Sequence, residues 1–459
     1  MTSPIAFDGE PKSNAMRSAT ADAEPVSLRT FTPSHLVIER SSGLYHWTPD
    51  GRKLADFTSG VLVANLGHNP RRWWNRLSSY MKWDKLDDAG EYLSLPPLTA
   101  YNAISGLEVD ANRRLLASLH RTPLGQRLQQ VMWSASGSEG IQKALWACLQ
   151  FQPERDVIVA TRDGFHGKKG LAEAVTGNES SPNRDSRVKF ISFPKEACFD
   201  LDDREEPFNS SATTAELERI WSETSGRINC LITEPYLGGG GSFHPPEAYL
   251  AALVEFCRRR NVVFILDEVQ SNFGRTGEMY AFEKYEIEPD VVVLGKGLGN
   301  GVPVNCAVGR ADVFASLTYG GASDTWSAHP LGCAAALATL DVFETENVME
   351  RARAVSRIVE AGLRRIRELP HVSAVRGEGM VWGVELKEFG GRSANDVAVE
   401  CVRDCYLGDA DGNAIHLLGP LAGKVIRISP PLTMTVEEAE HWMKVLEQIF
   451  KTTGERLAS

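Results

Sequence analysis

The chain has 459 residues, 42% of them hydrophobic and 24% charged, with a formal net charge of −11 at pH 7. That composition supports a large core divided between lobes, and its acidic balance argues against a nucleic-acid surface, which needs clustered cations. No apolar run approaches the roughly 20 residues that span a bilayer, so no membrane partner is expected.

Eight scattered cysteines without a CxxC pair suit reduced thiols in a cytoplasmic protein. Cys401 and Cys405 share a helix face, but two thiols alone make a poor metal site, and no metal is expected. Residues 1–25 are rich in Ser, Ala, Pro and acids and lack the apolar segment of a secretory signal. Asp8, Glu10, Asp22 and Glu24 are foreign to a transit peptide, so a flexible tail is expected here.

"GLYHWTPDGRKLADF" sets an Asp50-Gly51 turn between two strand-like runs, a hairpin signal. "HNPRRWWNRLSSYMKW" reads as an amphipathic helix, with Trp73 and Trp74 as packing residues. From about Val131 short apolar runs alternate with helical segments: "VMWSAS", "DVIVAT", "VKFISF", "INCLITEP", "VVFILDE" and "VVVLGKG" are the strands. "SEGIQKALWACLQF" and "PEAYLAALVEFCRRR" are helices between them. Such alternation predicts an α/β fold with a mostly parallel central sheet covered on both faces. Past about Ala335 a long basic helix precedes "MVWGVEL" and "VIRISPP", which suits a smaller α+β C-terminal domain. The expected division is a tail at 1–25, an N-terminal segment packing with the small domain at 26–80, a large domain at 81–335 and the small domain at 336–459.

Ligands of open parallel sheets bind at the carboxyl ends of the strands. Four such places carry polar groups. "VVFILDEVQ" ends in Asp267, Glu268 and Gln270, and a carboxylate after an apolar run needs a partner, a helix to cap or a ligand. "SASGSEG" opens a helix where Gly137 and Ser138 offer N–H groups and a hydroxyl to a phosphate, or simply cap it. "DGFHGKKG" offers Phe165, a plate for a planar ligand or an exposed loop residue, beside His166 and Lys168. "DVVVLGKGLGNGVP" delivers Lys296 between glycines after a buried run, where a lysine loses hydration. An amine, an acid, an anion cradle and an aromatic plate together meet the needs of pyridoxal 5′-phosphate.

These motifs resemble the class III pyridoxal-phosphate aminotransferases, the group of acetylornithine, ornithine, 4-aminobutyrate and ω-amino aminotransferases. The resemblance runs from about Val37 to the C-terminal region. It rests on "SGSEG" (136–140), "FHG" (165–167), "EP" (234–235), "LDEVQSNFGRTG" (266–277), "GKGLGNGVPV" (295–304), "DTWSAHPLGCAAALA" (324–338) and "RISPPL" (427–432). It implies a fold-type-I transferase in which the large domain binds the cofactor. It implies a homodimer with shared active sites that moves an amino group from an amine, ω-amino acid or amino acid to an α-keto acid by a ping-pong route. By the same resemblance Lys296 is the Schiff-base lysine and proton shuttle, and Asp267 holds the ring-nitrogen proton. Gln270 meets the ring hydroxyl, Gly137 and Ser138 bind phosphate, Thr325 reaches the partner's phosphate, and Phe165 lies on the ring. Arg427 resembles the arginine that binds a substrate carboxylate.

The chain departs from the family pattern at three points. Lys168 follows "FHG" where many members have arginine, which exchanges a bidentate fork for a point charge. The loop after "EP" reads "YLGGGGSFH", with no acid before Glu247 to cover Arg427. Asp324 precedes Thr325 where small or hydroxyl residues are frequent. A decarboxylase, racemase or aminomutase on the same fold is compatible with the motifs. A non-catalytic binder is the reading that loss of Lys296 or Asp267 would have favoured, and both are present.

Overall fold

The computed structural model describes residues 5–85, 91–177, 180–181, 184–198, 200–201 and 207–459. The chain divides into two compact units, 1–70 with 350–459, and 71–349.

The 71–349 unit is built on a seven-stranded sheet. Across it run Gln130–Ser134, Asn305–Gly309, Val291–Leu294, Val263–Asp267, Ile228–Thr233, Val157–Thr161 and Val188–Ile191. The last five are mutually parallel; Asn305–Gly309 is antiparallel to both of its neighbours. Successive strand residues point to opposite faces. Val157, Val159, Phe264, Leu266, Val292 and Leu294 enter one core layer. Ile158, Ala160, Val263, Ile265, Val291 and Val293 enter the other. Both faces are dry, which is why these strands read as unbroken apolar runs in the sequence.

Helices Gly106–Leu119, Glu247–Arg260 and Pro330–Thr345 cover the first face through Leu115, Leu253 and Leu337. Helix Gly137–Phe151 covers the second through Ile141, Ala144 and Cys148. Its start is fixed by a capping box, with Ser136 and Glu139 each bonding the other's backbone N–H.

Within the other unit, Arg40–Ser42, Tyr45–Trp47 and Lys53–Asp56 form an antiparallel meander, extended in parallel by Ala414–His416. The Asp50-Gly51 hairpin is the one read from the sequence. Val372–Glu378, Val381–Leu386 and Val425–Ile428 make a second, antiparallel sheet. Helices Ala394–Leu407 and Val436–Ala458 bury Val402, Leu446 and Phe450.

A histidine group lies on this first sheet. Asp56 Oδ2 is 2.7 Å from His68 Nε2 and 3.4 Å from His46 Nε2. Its Oδ1 accepts from Thr58 N and Oγ1, and Ser41 Oγ meets His46 Nδ1 at 2.7 Å. Burial raises the Asp56 carboxyl, but the His46 and His68 bonds outweigh it and hold the group well below the carboxylate range. His416 packs edge-on against His46, and burial pushes its pKa down to about 4. The ligating atoms of His46, Asp56 and His68 lie within 4.8 Å of one another. Both Nε2 atoms face a single carboxylate oxygen, while His416 Nδ1 has no partner among the described residues.

Two expectations need correction, and one strand was not read from the sequence. Residues 1–25 contain the helix Pro11–Ala23. Asp50 accepts from Lys12 N, Ser13 N and Ser13 Oγ and so caps its first turn; buried Arg17 pairs with Glu10 at 2.8 Å and donates to Tyr406 Oη. The breaks between units fall at 70/71 and 349/350 rather than at 80 and 335. The reason is that helix Arg71–Tyr80 belongs with Pro330–Thr345, to which Trp73 Nε1 donates through Thr339 Oγ1 at 3.0 Å. Finally, the antiparallel strand Asn305–Gly309 has too little apolar character to be read from sequence.

Candidate active site

Val291–Leu294, Val263–Asp267 and Gln130–Ser134 all finish at the same end of the sheet, where Asn305–Gly309 begins. The loops that follow them carry most of the expected site residues.

Asp267 is buried, so its charge depends on partners. His166 Nδ1 lies 2.7 Å from its Oδ2, and Val269 N donates to Oδ1 at 3.0 Å. Sequence reasoning placed His166 only as a neighbour of Phe165; the structure makes it the partner of Asp267. Glu234 was also missed. Its Oε2 accepts from Phe165 N at 2.8 Å and its Oε1 from Gly238 N at 3.2 Å. One buried carboxylate therefore pins both the aromatic residue and the glycine run. Burial pushes Glu234 up to about 7; the charge of Asp267 adds to this and His166 opposes it. The signal for Glu234 was its place in "EP" at a strand end, which was quoted only as part of a motif.

The glycine run explains the absent acid. A Cβ at Gly238 would lie 2.3 Å from Gln270 Oε1, and one at Gly240 would lie 2.6 Å from Asp163 O. The backbone carbonyl facing Gly240 cannot yield to a side chain, whereas at Gly238 the Gln270 amide would have to move. Gly239 sits against Phe165, with an ideal Cβ 3.2 Å from Phe165 Cβ. Gln270 Oε1 is itself buried and receives no donor among the described residues.

Val269 joins helix Gly137–Phe151 to the segment that carries Lys296. Ideal Cβ atoms at Gly137 and Gly295 fall 3.5 and 3.4 Å from the same Val269 Cγ1. Ser138 Oγ occupies the space a Cβ at Gly167 would need, so "SGS" and "FHG" touch. The first-turn N–H of Glu139 is taken by Ser136 Oγ and that of Gly140 by Ser136 O, while Gly137 and Ser138 stand ahead of them in the turn. Lys296 follows at φ 47°, a left-handed conformation that costs a side-chain-bearing residue about 1 kcal/mol. It is half-buried and opens the short turn Lys296–Leu298.

The structure thus gathers Lys296, Asp267, Gln270, Gly137, Ser138 and Phe165 at one end of one sheet. Lys168 stays exposed. Thr325 is exposed in the loop before helix Pro330–Thr345, and Asp324 beside it pairs with Lys143 at 2.7 Å. Arg427 lies in the other unit, buried on Val425–Ile428 opposite Gly383. The gathered set fits a flat, phosphorylated aldehyde cofactor. Gln270 Oε1 is a buried acceptor without a donor, glycines at 137, 167 and 295 keep the backbone bare, and Asp267 is an acid held away from water.

A family model described as aminotransferase class-III matches residues 27–450. The acetylornithine aminotransferase of Oceanobacillus iheyensis is 25% identical over 443 residues, covering 95% of this chain and 98% of that protein. The 4-aminobutyrate aminotransferase of Mycobacterium tuberculosis is 28% identical over 438 residues, covering 92% of each. Among solved structures, the ornithine aminotransferase of Toxoplasma gondii superposes with a TM-score of 0.79 at 23% identity, covering 98% of each chain, a likeness of fold.

Proposed function

The chain belongs to the class-III aminotransferases, which use pyridoxal 5′-phosphate, and on that footing we propose how its own residues serve the transfer. The carrying observation is the meeting of strained Lys296, His166-bound Asp267 and donorless Gln270 Oε1 at one sheet end. When bound, the cofactor supplies an aldehyde for the amino group and a ring that accepts electrons.

Lys296 holds the aldehyde in the resting enzyme and moves the proton from the donor's Cα. Asp267 keeps a proton on the ring nitrogen, and His166 fixes the direction of its carboxylate. Gln270 accepts from the ring hydroxyl, Phe165 lies against the ring, and Gly137 and Ser138 hold the phosphate. Buried Arg427 anchors a substrate carboxylate through its planar fork, with exposed Lys168 as a second cation. The donor is an amine, ω-amino acid or amino acid and the acceptor an α-keto acid.

The working form is a cytoplasmic homodimer, with Thr325 serving the partner's phosphate. Tyr92, Ile104, Tyr319 and Trp326, all exposed on the 71–349 unit, support it, since large apolar side chains left in water mark contact surfaces. No helix among the described residues is long and apolar enough to cross a membrane.

The test pairs chemistry with mapping. Lys296→Ala is expected to abolish turnover, and borohydride reduction of the holoenzyme is expected to label Lys296 alone. A panel of diamines, ω-amino acids and α-amino acids, with pyruvate and 2-oxoglutarate as acceptors, then assigns the substrates. A label on Lys168 or Lys169 would overturn the assignment.

A further inference from the structure

Lys143 is a second lysine at this end of the sheet, and no part of the reaction described above uses it. It lies in helix Gly137–Phe151, and its side chain is 5% exposed. A buried ammonium is tolerated only when its three donors are matched. Here Nζ donates to Trp133 O at 2.5 Å and to Ser327 Oγ at 2.8 Å, and its charge is paired with Asp324 Oδ2 at 2.7 Å.

Two of those three acceptors belong to the loop that carries Thr325. Asp324 Oδ1 accepts from Trp326 N at 2.9 Å, and Ser327 N donates to Asp324 O at 3.2 Å, so the loop is also closed on itself. Beyond it, His329 Nε2 meets Pro303 O at 3.0 Å while its Nδ1 accepts from Gly332 N at 3.1 Å. Burial raises the Asp324 carboxyl, but Lys143 outweighs it and keeps the group ionised below the ordinary range. The loop is therefore tied down on both sides of Thr325 and Trp326. Those two residues are exposed. A segment anchored this firmly in its own chain holds out a hydroxyl for which no bond is found among the described residues.

We propose that Lys143 is a positioning residue: through Asp324 and Ser327 it sets the loop that hands Thr325 to the partner subunit's cofactor phosphate. The same helix offers Gly137 and Ser138 to its own cofactor. Lys143 thus ties one site's phosphate cradle to the loop serving the neighbouring site, and each subunit's Lys143 governs how firmly its neighbour retains the cofactor. This rests on the dimeric reading above.

The test measures cofactor retention after gel filtration, by absorbance. Lys143→Met, Asp324→Asn and Thr325→Ala are each expected to speed cofactor release about tenfold. Lys143→Met combined with Asp324→Asn should be no worse than the poorer single variant, since both remove one interaction. Sedimentation mass and melting temperature report folding separately, and Asp324→Asn covers the case in which Lys143→Met does not fold.

Mixed dimers then decide the direction. In a dimer of wild-type chain with Lys143→Met/Lys296→Ala chain, only the wild-type site holds cofactor covalently, and its Thr325 comes from the altered chain. Retention there should fall. In a dimer of Lys143→Met chain with Lys296→Ala chain, the holding site receives Thr325 from an intact loop, and retention should be normal. The reverse pattern would overturn the proposal, as would normal retention in both Lys143→Met and Asp324→Asn while Thr325→Ala loses cofactor. No loss in Thr325→Ala would instead remove the dimeric assignment of Thr325 on which the proposal stands.

Discussion

Two buried polar groups, one in each unit, are built to opposite rules. Around Asp56 the carboxylate's own bonds close: His46, His68 and Thr58 meet it, and Ser41 orients His46 from behind, while His416 Nδ1 beside them has no partner among the described residues. Around Asp267 the bonds stop short: His166 and Val269 are matched, yet Gln270 Oε1 has no donor and Lys296 sits in a left-handed conformation. A completed network holds a fold. Beside Asp267 the unmatched Gln270 acceptor adjoins an acid and a lysine, so a ligand that supplies a donor there would recover part of the about 1–3 kcal/mol that burying an unpartnered polar group costs.

The strongest way to break this contrast is Asp267→Asn. The amide keeps the shape and cannot stabilise a protonated ring nitrogen. Turnover is expected to fall about 10²- to 10³-fold with cofactor still bound. Single-turnover rates near wild type would place Asp267 among the structural carboxylates, with Asp56.

Asp56→Asn should show the opposite profile. One acceptor oxygen becomes a donor facing His68 and His46, and stability should drop by about 3 kcal/mol, read as a shift of the urea midpoint. Turnover per folded molecule should stay within about twofold, since a loss confined to stability is what a purely structural network predicts. A variant as stable as wild type but catalytically dead would move Asp56 into the functional group.

The smallest effect is in pH dependence, where the two units pull in opposite directions. His416 is held down at about 4 by burial, so below its unfolded value near 6.5 the unfolded chain takes the proton first. Stability from that group is lost as pH falls from about 6.5 to 4, and Asp56, also depressed, extends the loss below. Glu268, in the catalytic unit, is buried and bonded to Ala281 N and Phe282 N, and burial raises it to about 8. Its folded form keeps a proton that the unfolded chain releases above about 4.5, so stability is lost as pH rises towards 8. His416→Gln should flatten the acid limb and Glu268→Gln the alkaline limb, each by about 1–3 kcal/mol in chemical denaturation across pH. If either substitution flattened both limbs, the two groups would not be independent.

The sheet was legible because its strands are dry on both faces, so that runs such as "VVFIL" and "VVVL" announce themselves. Asp267 and Lys296 were legible for the complementary reason: a charge that interrupts such a run is conspicuous. His166, Glu234 and Lys143 were not, because their partners are remote in the chain. His166 meets Asp267 across 101 residues, Glu234 meets Phe165 across 69, and Lys143 meets Ser327 across 184. The helix Pro11–Ala23 escaped notice likewise, since Asp50 and Tyr406 anchor it from far away and its own sequence lacks an apolar face.

The stretch from Gly238 to Gly240 has a bearing on attempts to remodel this enzyme. Most pockets are retuned by exchanging the side chains that line them. Here part of the wall is bare main chain pressed against Gln270, Phe165 and Asp163. A saturation library at 240 should return glycine almost alone, whereas side chains at 238 should be accepted only with a shift of the Gln270 amide. The architecture has in effect withdrawn position 240 from evolutionary trial, so that any remodelling of this loop must come from its neighbours.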